Sequence, residues 1–335
     1  MKINIVPIFI PHLGCPHLCT FCNQKKISGT LKAPEREEII SLVEEYISAD
    51  ISKVYEIAFF GGSFTALELE LQKYYLETAA KLKEENKIVK IRYSTRPDCI
   101  NNEILEFSKK YKVDIIELGL QSMDNKVLML AERGHTAEDT INAANLVKKY
   151  GFSLGLQIMP GLMGDTEESI LSTFTKILEL EPDFVRIYPT IVIKGTKLEE
   201  YYNKKVFKPI ELQKMVEITA KGWELFEKRG IKVIRMGLQH SENLTSEKDL
   251  IAGPYHPAFG ELVFSEIFKS KITSIIENKN IKKGSELVLK INPGELSKAK
   301  GHKNNNINKI KEKYNINLKF ISDGSLKKGQ IETEV

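Results

Sequence analysis

The chain is poor in cysteine and tryptophan: four cysteines and one tryptophan in 335 residues. So few cysteines exclude a disulfide framework for a chain this long. No apolar run approaches the ~18–20 residues that a membrane helix needs. The opening MKINIVPIFIP is apolar, but Pro7 and Pro11 interrupt it, no small-residue cleavage site follows, and it runs straight into cysteines. It reads as a buried strand of a cytoplasmic protein rather than a signal peptide. Neither charge sign dominates, with a formal net charge of +4. No glycine period, heptad array or internal repeat is present, and 42% apolar with 28% charged residues is ordinary globular composition. Collagen, coiled-coil and wholly disordered readings are excluded. The length suits a large core domain with a smaller companion.

What is present is alternation. Short apolar runs at Ile3–Ile10, Val54–Phe60, Ile88–Tyr93, Val113–Leu120, Phe152–Met159, Phe184–Tyr188 and Ile231–Met236 read as strands. Several are apolar nearly throughout, as parallel strands covered on both faces are. Helical patterns lie between them at about 35–49, 68–85, 101–110, 124–131, 137–150, 166–180 and 210–229. Pro34 and Pro209 suit first turns, and Gly151 and Gly230 suit left-handed caps. Strand–helix alternation of this kind predicts an α/β fold, a barrel or partial barrel over residues 1–240, with its chemistry at the strand C-terminal ends. Residues 241–280 hold a Gly/Pro-rich loop, AGPYHPAFGELV at 252–263, then a helix to about Glu277, and are expected to connect to or cover the barrel.

The cysteines are not scattered. GCPHLCTFC at 14–22 sets Cys15, Cys19 and Cys22 in a C-x3-C-x2-C pattern directly after the first strand. Three thiolates this close can hold three irons of a cubane cluster and leave the fourth iron open. A Cys₃His zinc site, completed by His12 or His17, is the other reading. Cys99 reads as a small buried apolar residue.

Context bears on that choice. The cysteine pattern, its position in the loop after strand one and the aromatic Phe21 before the last cysteine resemble the radical SAM superfamily. The resemblance continues through GGSFT (61–65), STRPD (94–98), ELGLQS (117–122), RGHT (133–136), MPGLMGDT (159–166) and RIYPT (186–190), each at a strand end or just beyond. Over about residues 1–240 these segments are similar to the radical SAM core of the Elongator catalytic subunit, and more distantly to anaerobic coproporphyrinogen oxidases. Two features depart from the Elongator pattern: the first cysteine gap is shorter, and 335 residues leave no room for an acetyltransferase domain.

The resemblance implies a partial (β/α)6-type radical SAM barrel and two cofactors, a 4Fe–4S cluster and S-adenosylmethionine (SAM). It implies reductive cleavage of SAM to a 5′-deoxyadenosyl radical that abstracts hydrogen from a substrate. Cys15, Cys19 and Cys22 would ligate the cluster. Phe21 would lie at the cofactor, and Gly61 and Gly62 would meet the methionine end of SAM. Gln121, Arg133 and Gln157 match positions that contact SAM ribose or carboxylate, and Arg96 is a further candidate. An arginine fork suits a carboxylate. Tyr188 is a candidate to face the radical, although a strand-end tyrosine also serves as core with a bonded hydroxyl. His135 and His256 are candidate acid–base groups. An external electron donor of flavodoxin or ferredoxin type is required.

Beyond residue 280 the composition changes. Residues 281–335 hold 12 lysines against 6 acidic residues, a net of 12 − 6 = +6. The pattern reads strand (Glu286–Ile291), short helix (Glu295–Lys300), GHKN break (301–304), helix (Asn306–Tyr314), strand (Asn317–Ser322), a small basic α+β domain. It resembles a KH-type RNA-binding unit, with Gly301 present and Asn304 in place of the second glycine. A lysine-rich solvated face explains the charge equally well. Together these features favour tRNA or another RNA as substrate. A small molecule or tetrapyrrole is the alternative within the radical SAM class, and a zinc-stabilised RNA-binding protein is the alternative outside it.

Overall fold

A computed structural model describes residues 3–10, 15–23, 32–238 and 249–334. His12 and residues 239–248 lie outside the described residues. The chain divides into two compact units, Met1–Ile210 with Phe226–Tyr255, and Glu211–Leu225 with His256–Val335.

The first unit is built on strands β1 (Ile3–Ile10), β2 (Val54–Gly61), β3 (Lys90–Thr95), β4 (Ile115–Gln121), β5 (Ser153–Ile158), β6 (Phe184–Ile187) and β8 (Lys232–Met236). They form one seven-stranded sheet in that order, and every pairing is parallel. Helices connect them: α1 (Arg36–Ala49), α2 (Leu69–Glu84), α3 (Asn102–Lys110), α4 (Asn125–Leu130), α5 (Ala137–Lys149) and α6 (Glu167–Leu180), while α8 (Leu212–Lys228), which precedes β8 in the chain, falls mostly in the second unit. The starts of α5 and α6 are fixed by reciprocal boxes, Thr136 with Asp139 and Thr166 with Ser169, each satisfying amides that a helix start leaves unpaired.

The two faces of the sheet differ. One presents Ile57, Phe59, Ile91, Tyr93, Leu118, Leu154 and Leu156, all buried, and Phe59 lies 5.8 Å from the ring of Tyr75 on α2. The other presents Glu56, Phe60, Arg92, Glu117, Gln157 and Arg186. Arg186 of β6 sits 5.2 Å from the ring of Phe60 on β2, and Arg92 of β3 sits 5.0 Å from Phe184. In a flat sheet, strands four positions apart stand roughly 19 Å apart. Contact between β2 and β6 side chains therefore requires the sheet to curl, with this second face inside. The expected partial barrel is what the strands form.

After β6 the chain makes β7 (Val192–Ile193), which pairs antiparallel with β9 (Leu250–Ala252), and then α7 (Lys197–Asn203). The sequence pattern places no element at these three segments. Two- and three-residue strands are too short to show a period, and α7 buries only Leu198.

The second unit contains α9 (Phe259–Asn278), β10 (Glu286–Ile291), α10 (Leu296–Lys300), α11 (Asn305–Tyr314), β11 (Asn317–Ser322) and β12 (Ile331–Glu334). Its sheet order is β11-β10-β12, with β10 parallel to β11 and antiparallel to β12. Phe268, Ile272 and Ile276 of α9 meet Leu287, Leu289 and Ile291 of β10, with Ile310 and Ile316, in one apolar core.

Candidate active site at the C-terminal edge of the sheet

The cysteine loop is pinned to the strand ends at several points. The amide of Thr20 donates to the carbonyl of Ala131 at 3.0 Å, and the amide of Leu198 donates to the carbonyl of Thr20 at 2.8 Å. His17 lies against Gly134, where an added Cβ would come within 2.3 Å of the imidazole. A turn closed by the Cys22 amide on the Cys19 carbonyl, at 3.0 Å, joins two of the cysteines. Cys19 and Phe21 are buried in an apolar cluster with Val127, Ala131, Leu162 and Leu198, and Cys22 packs against it. Phe21 thus packs within the wall that supports the loop. Cys15 lies farther along, its Sγ 3.6 Å from Oγ of Ser63 after β2.

The glycine turn that follows β2 has a backbone reason for its composition. Gly61 adopts φ +116°, and a Cβ there would stand 2.1 Å from the carbonyl oxygen of Ile10. No side chain can be accommodated at that point. The amide of Gly62 donates to the same carbonyl at 3.3 Å, so the turn locks β1 to β2 immediately beside the cysteine loop.

Arg133 joins the cysteines to β4. Its Nη1 donates to Cys19 Sγ at 3.4 Å, and its Nη2 donates to the Gly119 carbonyl at 2.6 Å. A Cβ on Gly119 would come within 2.9 Å of Gln121 Nε2 and 3.1 Å of Arg133 Nη2, so this glycine makes room for both side chains. Gln121 ends β4 with φ 65°, a left-handed conformation uncommon for a residue with a Cβ and worth attention at a functional site. Gln157 Nε2 donates to Gln121 Oε1 at 3.3 Å. Gln121, Arg133 and Gln157 are therefore neighbours at one strand edge.

Arg96 is buried, paired with Asp98 at 2.9 Å, and donates to the Arg133 carbonyl. His135 stands behind the same pair. Its Nε2 faces the Leu120 carbonyl at 3.2 Å and therefore carries the hydrogen, because a carbonyl only accepts. Its Nδ1 is 3.9 Å from Asp98. Burial, followed by the charge of Arg133, pushes His135 down to about 4. The ring is neutral near pH 7 and braces the turn that holds Arg133. A basic group whose folded pKa is depressed contributes stability above its ordinary value, here 6.5, and loses it as pH falls through the folded value. Acid titration from pH 6.5 to 4 is expected to destabilise the protein by ~3 kcal/mol through this residue. Urea unfolding of wild type and His135→Gln across that interval checks it, the variant showing the flatter profile.

The inner face carries a charge network that strand patterns alone do not reveal. Arg92 pairs with Glu56 and, at 2.7 Å, with Glu117. Glu117 also pairs with Arg186 at 3.0 Å, and Arg186 Nη1 donates to the hydroxyl of Tyr188 at 3.2 Å. Burial pushes the Glu56 carboxyl up, against the pull of Arg92. Tyr188 is half-buried, at the upper end of this chain of contacts. His256 belongs to the second unit, where its Nδ1 accepts from the Ala258 amide at 3.0 Å.

These residues suit the expected cofactors. Among the described residues no three His, Cys, Asp or Glu side chains converge as a single-ion site requires. The thiolates of a cubane need no such convergence, since each meets a different iron. Arg96 Nη1 and Arg133 Nε are buried without a partner, at the edge where an anionic group of SAM would require donors.

Comparison with known proteins agrees with this geometry. Residues 9–177 match the Radical SAM superfamily model, and residues 182–269 match the Radical_SAM C-terminal domain. The chain is 33% identical over 185 residues to a tRNA uridine(34) acetyltransferase of Methanocaldococcus infernus, covering 49% of this chain and 35% of that protein. It thus spans about a third of that relative. An uncharacterized protein of Methanocaldococcus jannaschii is 33% identical over 232 residues, covering 65% of this chain and 70% of its own length. The solved structure of the archaeal M. infernus Elp3 with an N-terminal deletion superimposes with a TM-score of 0.63 at 23% identity, over 84% of this chain and 64% of that one. With a family model spanning half the chain, and a curled parallel sheet bearing three cysteines beyond its first strand, this protein belongs to the radical SAM superfamily, whose cofactors are a 4Fe–4S cluster and SAM.

Proposed function

We propose that this chain is a radical SAM enzyme acting on RNA, with tRNA as the substrate class. Cys15, Cys19 and Cys22 would hold the cluster, and Gly61, Gly62, Gln121, Arg133 and Gln157 would hold SAM. When bound, this pair supplies one-electron cleavage of SAM and hydrogen abstraction from a substrate. The protein's own contribution is orientation and exclusion of water. The observation that carries the reading is Arg133, whose guanidinium spans from the Cys19 sulfur to the Gly119 carbonyl. One side chain thereby couples the metal loop to the strand edge. N–H donors at cluster sulfurs are among the features that set a cluster's potential.

RNA is favoured over a tetrapyrrole by the tRNA-modifying relative and by the net charge of +6 over residues 281–335. No helix among the described residues is long and apolar enough to cross a membrane. The reading places the enzyme in the cytoplasm beside a flavodoxin- or ferredoxin-type donor. Anaerobic reconstitution with iron and sulfide, then dithionite and SAM, is expected to give about four irons per chain and 5′-deoxyadenosine. Its formation should rise on addition of bulk tRNA and not of coproporphyrinogen. One tightly held zinc with no SAM cleavage overturns the enzyme reading. Stimulation by coproporphyrinogen alone overturns the RNA reading.

A further inference from the structure

The second unit contains a groove of about 500 Å³ between the start of α9 and the α10–α11 connection. Five of its lining side chains are basic: His256, Lys298, Lys300, His302 and Lys303. The one acidic lining residue is Glu261, whose carboxylate lies 3.9 Å from Lys298 Nζ. The Lys298 ammonium is further held 4.4 Å from the ring of Phe264. Lys300 and Lys303 form no ion pair among the described residues.

The floor of this groove is built rather than loose. Gly301 has φ +78°, and a Cβ there would come within 2.9 Å of the Asn306 amide nitrogen and of Ser265 Oγ. Asn306 is buried, and its Nδ2 donates to the carbonyls of Ser265 at 2.8 Å and Ala299 at 3.1 Å. This clamp ties α9, α10 and α11 together beneath the groove. Lys303 (φ 51°) and Asn304 (φ 61°) are consecutive left-handed residues, an uncommon pairing for residues with a Cβ. They turn the chain into α11, which spans ten residues and has no side-chain cap. Asn304, the N-cap of that helix, lines the groove together with the lysines, a combination that favours anions.

We infer that this groove binds the phosphodiester backbone of the RNA substrate, with Lys298, Lys300 and Lys303 as its cationic contacts. The inference rests on the RNA reading above and assigns that reading a site. A diffuse lysine-rich face would spread its cations over exposed surface. Here three lysines, two histidines and a helix start converge on one concavity.

The test uses the full chain, with a fluorescein-labelled tRNA anticodon stem–loop as probe and anisotropy read from 50 to 400 mM KCl. Lys300→Glu/Lys303→Glu is expected to weaken binding by at least about tenfold at low salt. It should also flatten the log K against log salt slope by ~0.7 for each lost single-strand phosphate contact. Lys300→Gln/Lys303→Gln should show an intermediate loss. Lys327→Glu/Lys328→Glu places the same charge change on exposed residues outside the groove and should shift affinity by no more than about twofold. Circular dichroism melts establish that each variant is folded. Equal losses from the two charge-reversed pairs, or no loss from the groove pair, overturn the groove while the RNA reading stands. Wild type that makes 5′-deoxyadenosine but binds no RNA overturns both.

Discussion

Replacing Cys19 by alanine is expected to abolish cluster retention and to lower 5′-deoxyadenosine formation by at least about a thousandfold, ~4 kcal/mol in activation terms. Cys15→Ala and Cys22→Ala should behave alike, because a cubane held by three thiolates leaves a second iron open when one is lost. The folding cost is far smaller. Cys19 is buried in an apolar cluster, and losing one sulfur atom from such a wall costs about 1 kcal/mol. Thermal melts close to wild type together with lost iron therefore separate ligation from folding. Cys99→Ala is the internal control. Its thiol is pushed up to about 11, first by burial and then by Asp98, so it is protonated at neutral pH and a poor metal ligand. Iron content and SAM cleavage should survive that substitution. Iron retained in Cys19→Ala but lost in Cys99→Ala would overturn the ligand set.

Most of the parallel strands were legible because they are apolar runs with a buried face, β4 being buried at every residue, whereas β8 has no buried residue and was legible from its apolar run alone. The cysteine loop was legible from spacing and position. Other features depend on curvature or on contacts no local pattern records. The resemblance sets Gly61 at the methionine end of SAM, and no local pattern shows that a Cβ there would also meet the Ile10 carbonyl of the neighbouring strand. His135 reads as an acid–base candidate, and only the structure shows its Nε2 at the Leu120 carbonyl and its buried Nδ1 without a hydrogen-bond partner. Glu56, Arg92, Glu117 and Arg186 look like polar interruptions in separate apolar runs, and only the curl of the sheet brings them together. A buried charge amid apolar residues in several consecutive strands was the available signal, since such charges are tolerated only when paired. β12 was missed because IETE has too few apolar residues to mark a strand.

That network supplies the second large expected effect. Two carboxylates and two guanidiniums balance within it, with side chains between 3% and 11% exposed. Arg92→Met removes one cation and leaves Glu56 and Glu117 facing one another in a site that excludes water. Breaking a buried pair in this way costs about 3–5 kcal/mol, read as a lowered urea midpoint with unchanged slope. Adding Glu56→Gln to Arg92→Met restores the balance, keeps the Glu117–Arg186 pair and should recover most of the loss. The pH dependence has a definite sign. Without Arg92 the Glu56 carboxyl, already pushed up by burial, rises further. An acid whose folded pKa is raised contributes stability at low pH and loses it as pH rises through the folded value. The deficit of Arg92→Met should therefore grow from pH 5 to pH 8, while the double variant stays nearly flat. A deficit independent of pH and unrelieved by Glu56→Gln would mean that Arg92 acts through packing on Phe184 rather than through charge. The network also bears on the site, because Glu117 and the Phe60 ring position Arg186, and Arg186 fixes the Tyr188 hydroxyl. If the network orients that tyrosine, Arg186→Met should alter the ratio of 5′-deoxyadenosine to modified substrate while leaving iron content intact.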